Sequence, residues 1–261
     1  MRRSPVMTMM IRAAEKAGRA VLRDFGEVEQ LQASRKGPRD FVTKADEKAE
    51  RILQEELQKA RPRYGLLMEE TGEVAGSDTS HRFIVDPIDG TTNFMHGIPH
   101  FAVSVALEED RTPIAGVVYN PVSDELFWAE RNVGAYLHER RLRVSSRNTL
   151  ADGLIAAPPF VPAAHDFEAW RGIVDRLARL GTIRTLGAAS LNLAYIAAGR
   201  LDAYAERGLK PWDTAAGAVI LQEAGGVISD FSGGRRWLYG GDVVAASTDL
   251  HRPLLSAVSG G

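Results

Sequence analysis

The sequence predicts a layered α/β protein made of two lobes, and three observations carry that prediction. Amphipathic helical spacing opens the chain, four short strand-like segments joined by polar turns fill its middle, and strands alternate with helices towards its end. The 261 residues are 44% hydrophobic and 25% charged, which supplies a sizeable core within the range of globular chains. One domain over 1–261 is expected, with a first lobe over about 1–150 and a second over about 151–261.

The first element is read as a helix over residues 6–24. Arg12, Glu15, Lys16 and Arg19 interrupt any apolar run of the kind a signal segment needs, while Ile11, Ala14, Ala17, Val21 and Leu22 keep helical spacing. A second helix follows over 44–59, and Thr43 with Asp46 approximates a capping box at its start, aspartate replacing the usual glutamate. Segments 102–107, 114–119, 125–129 and 134–137 read as strands. Their connections, Glu109-Asp110-Arg111-Thr112, Asn120-Pro121-Val122-Ser123-Asp124 and Arg131-Asn132, are short enough to imply an antiparallel meander. Later strands near 154–156, 183–185, 203–205, 227–229 and 243–245 alternate with helices over 167–180, 188–198, 214–224 and 250–256. Pro158-Pro159-Phe160-Val161-Pro162 is the expected junction between lobes.

Composition narrows the function. With no cysteine the chain forms no disulfide, zinc-thiolate site or thiol nucleophile, and it suits a reducing compartment; a cytoplasmic location is expected. No stretch approaches the roughly 20 apolar residues of a membrane span. The net charge of -2 provides no global basic field, which disfavours nucleic acid as the main partner.

The most informative stretch is Asp86-Pro87-Ile88-Asp89-Gly90-Thr91-Thr92-Asn93-Phe94. Arg82-Phe83-Ile84-Val85 before it reads as a short buried strand, so both acids are expected to project from a strand end into a turn. Paired carboxylates there suit a cation, while Pro87 and Asp89-Gly90 equally suit an ordinary turn. Three further places have acids at element ends: Leu66-Leu67-Met68-Glu69-Glu70-Thr71-Gly72, the Asp40 to Asp46 segment, and Lys210-Pro211-Trp212-Asp213, where Asp213 is read as a helix N-cap. Judged singly, each has a structural explanation as loop charge or cap. Mg2+ takes hard oxygen ligands from a few carboxylates, water and phosphate, and these are the places that could supply them.

In this order and at this spacing the four segments resemble the inositol monophosphatase family of Mg2+-dependent, lithium-sensitive phosphatases, over nearly the whole chain. The resemblance implies a sugar-phosphatase fold with alternating α-β-α-β-α layers, an antiparallel N-terminal sheet and a more α/β C-terminal lobe. It implies two to three Mg2+ ions per site, Mn2+ able to substitute and Li+ inhibitory. Their ligands would be the carboxylates of Glu69, Asp86, Asp89 and Asp213 and the carbonyl oxygen of Ile88. Glu69, Asp46 and Thr91 would act at the attacking water, with Glu70 and Lys36 behind the ligands. Backbone N–H groups of Gly90, Thr91 and Thr92 are expected to bind phosphate, and Gly187, Ala189 and Glu206 to contact the alcohol.

Thr92-Asn93-Phe94 looks like the inositol branch, because relatives acting on histidinol phosphate or 3'-phosphoadenosine nucleotides usually carry lysine or arginine there. The expected reaction is hydrolysis of myo-inositol 1-phosphate or a related polyol phosphate, with fructose 1,6-bisphosphate and histidinol phosphate as alternatives. One departure stands out: Met68 occupies a position where the family often has glycine, and its bulk is expected to alter the approach to the first metal. The resemblance also implies a homodimer. The bacterial SuhB-like branch adds contact with RNA polymerase or rRNA transcription factors; Arg140-Arg141-Leu142-Arg143 and Arg235-Arg236 are the candidate patch, with solvated surface charge as the plain alternative.

Overall fold

A computed structural model describes residues 3–25, 33–37, 40–158 and 167–260, the segments 33–37 and 40–42 through their backbone alone. Helices α1 (Pro5–Phe25) and α2 (Lys44–Ala60) pack on each other. Between them in sequence, β1 (Ala33–Gly37) and β2 (Asp40–Thr43) form an antiparallel hairpin. Met7, Met10, Ala14 and Ala17 of α1 and Leu53 and Leu57 of α2 are fully buried, as their helical spacing requires.

The first sheet contains β3 (Tyr64–Met68), β4 (Gly72–Val74), β5 (Asp78–Asp89), β6 (Ala102–Glu109), β7 (Thr112–Asn120), β8 (Glu125–Glu130), β9 (Gly134–Leu137) and β10 (Arg140–Arg141). Their spatial order is β10-β9-β8-β7-β6-β5-β3-β4. The meander is antiparallel throughout, and β3 joins its edge parallel to β5. Asp110 and Arg111, at φ 47° and 62°, make the tight turn between β6 and β7, where two left-handed residues match the strand twist.

Strand alternation distributes the core. Phe83, Val85, Val103, Val105 and Val117 face α1 and α2, while Ile84, Ala106 and Val118 face the opposite way. There they meet α5 (Ala189–Ala197) and α6 (Pro211–Glu223), which are apolar nearly all round because a sheet covers each side. Gly217 lets the two helices approach: a Cβ there would sit 2.7 Å from Leu193 Cβ.

The second sheet runs β12-β11-β13-β15-β14, from β11 (Leu154–Ala156), β12 (Thr182–Arg184), β13 (Ala203–Glu206), β14 (Gly226–Ser229) and β15 (Val243–Ser247). Tyr204, Val243 and Ala245 point inward to α5 and α6; Ala203, Ala205, Val244 and Ala246 point outward to α4 (Phe167–Leu180) and α8 (Thr248–Ser259). The result is the five-layered α-β-α-β-α arrangement. Each buried large aliphatic or aromatic side chain contributes about 1.5–3 kcal/mol relative to exposure, so the three cores hold the layers in register.

The long helices and the meander fall where periodicity places them. Two short helices, α3 (Thr91–Met95) and α7 (Trp237–Gly240), have too few residues for a periodic signal. Most of the proline-rich junction, residues 159–162, lies outside the described residues. Among the described residues no helix is long and apolar enough to cross a membrane.

Candidate active site

The site begins with an irregularity in β5. Residues three apart on a regular strand face opposite sides of a sheet. Here Asp86 pairs with Ser104 and Asp89 with Ala102, so three steps on β5 match two on β6. That one extra residue is a β-bulge, and it turns both carboxylates to one side. Pro87 sits inside the bulge, where a missing N–H costs no ladder bond, and the Ile88 N–H donates to Asp86 Oδ1 at 2.9 Å. The strand therefore continues through Asp89, whereas the sequence reading ends it at Val85 with both acids in a turn. The bulge is what lets pairing resume beyond the proline.

Asp213 arrives from the first turn of α6. Lys210, not Asp213, is the N-cap; Pro211 starts the helix, its fixed φ being suited to a first helical position. Asp213 sits in the first turn and reaches back, accepting the Lys210 N–H at 2.6 Å. Oxygens of Asp86, Asp89 and Asp213 all lie within 4.8 Å of one another. Glu69 joins them because β3 runs parallel to β5: its N–H donates to Val85 O at 3.2 Å, and its carboxyl lies in hydrogen-bonding reach of Asp86.

Burial pushes the Asp86 carboxyl well above the ordinary range, and the charges of Glu69, Asp89 and Asp213 push it further. Asp213 is likewise raised well above its usual value, by burial and then by the Asp89 charge, against the opposing Lys210 N–H. Asp89 is raised to about 6 by burial, although Ser190 and Ala189 donate hydrogen bonds to it. Among the described residues no lysine or arginine forms an ion pair with these three aspartates. Two buried aspartates and a half-buried third, mutually repelling and all oxygen donors, fit a hard divalent cation.

Beside this cluster stands a hydroxyl–carboxylate pair. Thr43 caps α2 and its Oγ1 accepts the N–H of Ala45 at 3.1 Å; Asp46 completes the capping box by accepting the Thr43 N–H at 2.9 Å. The other oxygen of Asp46 lies 3.2 Å from the Thr91 hydroxyl, which is also 3.0 Å from the Ile88 carbonyl. Burial raises the Asp46 carboxyl against the hydrogen bonds from Thr43 and Thr91. Gly90, at φ 98°, turns the chain from β5 into α3, and a Cβ there would meet His100 O at 3.1 Å and Gly187 O at 3.2 Å.

A cleft of about 180 Å³ opens next to the acids, lined among others by Asp89, Asp213, Gly187, Ala189, Asn192 and Glu206. Glu206 accepts the Tyr204 hydroxyl at 2.5 Å and is raised to about 7, chiefly by burial. The structure thus brings Glu69, Asp86, Asp89 and Asp213 together, seats Gly187, Ala189 and Glu206 on the cleft that Asp89 and Asp213 line, and joins Asp46 to Ile88 through the Thr91 hydroxyl. Gly90 and Thr92 sit at the start of α3, Thr92 exposed. Lys36 lies on β1, its side chain outside the described residues.

Met68 corrects an expectation. Its side chain is fully buried with Leu66 in the core beneath α1 and α2, because strand parity sends it away from Glu69. It does not line the approach to the acids.

Two residues, Glu50 and Ser190, escape the sequence reading, and a third, Asn93, enters it only as part of a branch signature. Glu50, buried on α2, accepts the N–H groups of Glu70 (2.8 Å) and Thr71 (2.9 Å) and so anchors the turn carrying Glu69 and Glu70. Its signal is an acid four residues after Asp46 on the buried face of the helix. Asn93 Nδ2 donates to His100 O (2.8 Å) and Leu186 O (2.7 Å), tying α3 to the loop before α5. Ser190 donates to Asp89; nothing in its helical context announces that.

An acidic cluster that could hold a cation lies at the seam of a five-layered α/β fold, and the family to which the chain belongs makes the class a phosphoric monoester hydrolase. The chain belongs to the inositol monophosphatase family, whose sequence model matches residues 2–260. It is 51% identical to an inositol-1-monophosphatase of Mesorhizobium japonicum over 259 residues, 99% of this chain and 97% of that one. It is 41% identical to the Nus factor SuhB of Escherichia coli over 255 residues, 97% and 95% of the two chains. The crystal structure of the extragenic suppressor protein suhB from Bartonella henselae superposes with a TM-score of 0.95 at 48% identity, covering 99% of this chain and 100% of that one.

Proposed function

We propose that this protein hydrolyses myo-inositol 1-phosphate and related polyol phosphates in a Mg2+-dependent reaction, releasing the alcohol and inorganic phosphate. The observation that carries it is the convergence of Asp86, Asp89 and Asp213 within 4.8 Å with no cationic partner among the described residues. Glu69, Asp86 and the Ile88 carbonyl would hold one ion, Asp86, Asp89 and Asp213 a second, and Glu69 with water a weaker third. All-oxygen donors favour Mg2+, with Mn2+ able to replace it. Bound Mg2+ would supply charge neutralisation and Lewis-acid activation.

The chain's own residues perform the remaining tasks. Thr91 and Asp46 orient the attacking water in line with the phosphorus, and Asp46, kept basic enough by its buried setting, receives the water's proton. N–H groups of Gly90, Thr91 and Thr92 bind the phosphate oxygens that gain charge in the transition state. Glu206, which lines the cleft, accepts hydrogen bonds from hydroxyls of the polyol, with Gly187 and Ala189 supplying backbone contact. The name of the Mesorhizobium japonicum relative, inositol-1-monophosphatase, supports inositol 1-phosphate as the preferred ester.

The test is a panel of inositol, glycerol, histidinol and fructose phosphates assayed for free phosphate with and without Mg2+. Asp89→Asn is the companion variant, removing one ligand charge with little change of shape. Metal-independent turnover, or turnover of Asp89→Asn near the wild-type rate, contradicts the proposal.

A second reading, as a binding partner of RNA polymerase or its rRNA factors, has one observation in its favour besides the SuhB relative. Arg111, Arg235 and Arg236 line a groove of about 590 Å³ with Tyr239, Asp230 and Asp242; none of the three guanidinium groups forms an ion pair among the described residues, although Asp230 accepts the Arg236 backbone N–H at 3.1 Å. Pull-down of Asp89→Asn with the polymerase separates the roles: retention by an inactive variant supports binding as an independent function.

A further inference from the structure

Asp89 is gripped from one direction by the first turn of α5. Its Oδ1 accepts the Ala189 N–H at 3.1 Å, and its Oδ2 accepts the Ser190 N–H at 2.7 Å together with the Ser190 hydroxyl. The helix has no side-chain cap of its own, since Ala188 occupies the N-cap position. A carboxylate from a strand 100 residues earlier takes that place.

A carboxylate offers roughly four acceptor directions, and α5 occupies three of them while Asp89 stays within 4.8 Å of Asp86 and Asp213. Left to itself, a buried Asp89 would swing away from those two like charges. Two of the three restraining bonds come from the backbone and are fixed by the helix. The third is a side-chain contribution from Ser190, a fully buried hydroxyl in a helix whose other buried positions are apolar except for Asn192. Ala189 and Asn192 of the same helix line the substrate cleft, so α5 touches both halves of the site.

The geometry points to Ser190 as a positioning residue for the metal centre: its hydroxyl holds Asp89 in the orientation that faces Asp86 and Asp213, and thereby sets metal affinity more than substrate affinity. This rests on the reading of Asp89 as a metal ligand. Loss of one hydrogen bond to a charged acceptor translates into a roughly tenfold weaker equilibrium.

The experiment is calorimetric titration of the intact protein with Mg2+ alone, for wild type, Ser190→Ala, Ser190→Thr and Asp89→Asn, alongside KM for inositol 1-phosphate at saturating Mg2+ and a melting temperature for each. The expected result is a Mg2+ Kd about tenfold higher in Ser190→Ala, recovery in Ser190→Thr, and KM within about twofold of wild type. Unchanged Mg2+ affinity in Ser190→Ala, whatever its melting temperature, overturns the assignment, because a merely capping hydroxyl would lower stability alone. If Ser190→Thr packs poorly, the Ser190→Ala affinity still decides. Asp89→Asn separates the two levels: loss of one Mg2+ equivalent there with an unaffected Ser190→Ala refutes only the role of Ser190, whereas the full wild-type number of ions bound at wild-type affinity refutes the ligand reading beneath it.

Discussion

The Thr91 hydroxyl lies 3.2 Å from Oδ1 of Asp46, although 45 residues separate them. One residue opens α3 and the other closes a capping box on α2. Asp46 therefore does two things at once, with one oxygen committed to the Thr43 cap and the other to the Thr91 hydroxyl. Replacing Thr91 by valine keeps the shape and removes the hydroxyl. The expected outcome is a fall in kcat of about 100-fold or more with an unchanged melting temperature, while Thr91→Ser retains most activity. Phosphate-release kinetics on the three proteins check it.

Glu206 predicts a pH dependence of stability. Its carboxyl is raised from an ordinary 4.5 to about 7 by burial, with the Tyr204 hydroxyl opposing and the Asp89 charge adding. A raised folded pKa means that the folded state holds the proton more tightly. The resulting stabilisation is complete below about pH 4.5 and is lost as pH rises through about 7. In metal-free protein, wild type should lose melting temperature relative to Glu206→Gln between about pH 5 and 8. Parallel curves for the two proteins across that interval would contradict the burial-driven shift.

Glu50 acts through the turn it anchors. Changing it to glutamine replaces one of two acceptor oxygens facing the Glu70 and Thr71 N–H groups with a donor. The carboxylates of Glu69 and Glu70 then lose their fixed base. Mg2+ affinity is expected to drop about 10- to 100-fold, the range seen when outer partners of metal ligands are lost. A metal titration of activity at saturating substrate measures this directly.

Met68 yields the opposite pattern. As a fully buried core residue, its truncation to alanine should cost about 2–5 kcal/mol of stability. Mg2+ affinity should stay at the wild-type value because the side chain points away from the cluster. Denaturant unfolding and metal titration on Met68→Ala test the two halves separately, and weakened metal binding in a folded variant would place the side chain at the site after all.

Much of this protein is legible one element at a time. The helices of α1, α2, α4, α5, α6 and α8 follow from apolar spacing, and the meander follows from alternation and turn residues, because these signals act over a few residues. Thr43 and Asp46 are readable as a cap for the same reason. Asp213 is misread as the N-cap because Pro211, two residues earlier, sets the true helix start. The short helices at Thr91 and Trp237 carry no periodic signal at all.

By itself, the sequence determined the layered α/β class, the order of its elements and the acids proposed as ligands, through local periodicity and a motif set of unusual specificity. Only the tertiary structure decided which way those acids face. A single extra residue at Pro87-Ile88 brings Asp86 and Asp89 to one side, and strand parity sends Met68 into the core while Glu69 reaches the site. Glu50, Asn93 and Ser190 gain their meaning from partners far away in the chain. Side-chain direction on a strand reverses with every residue, so a one-residue bulge and a long-range contact settle what no local pattern can.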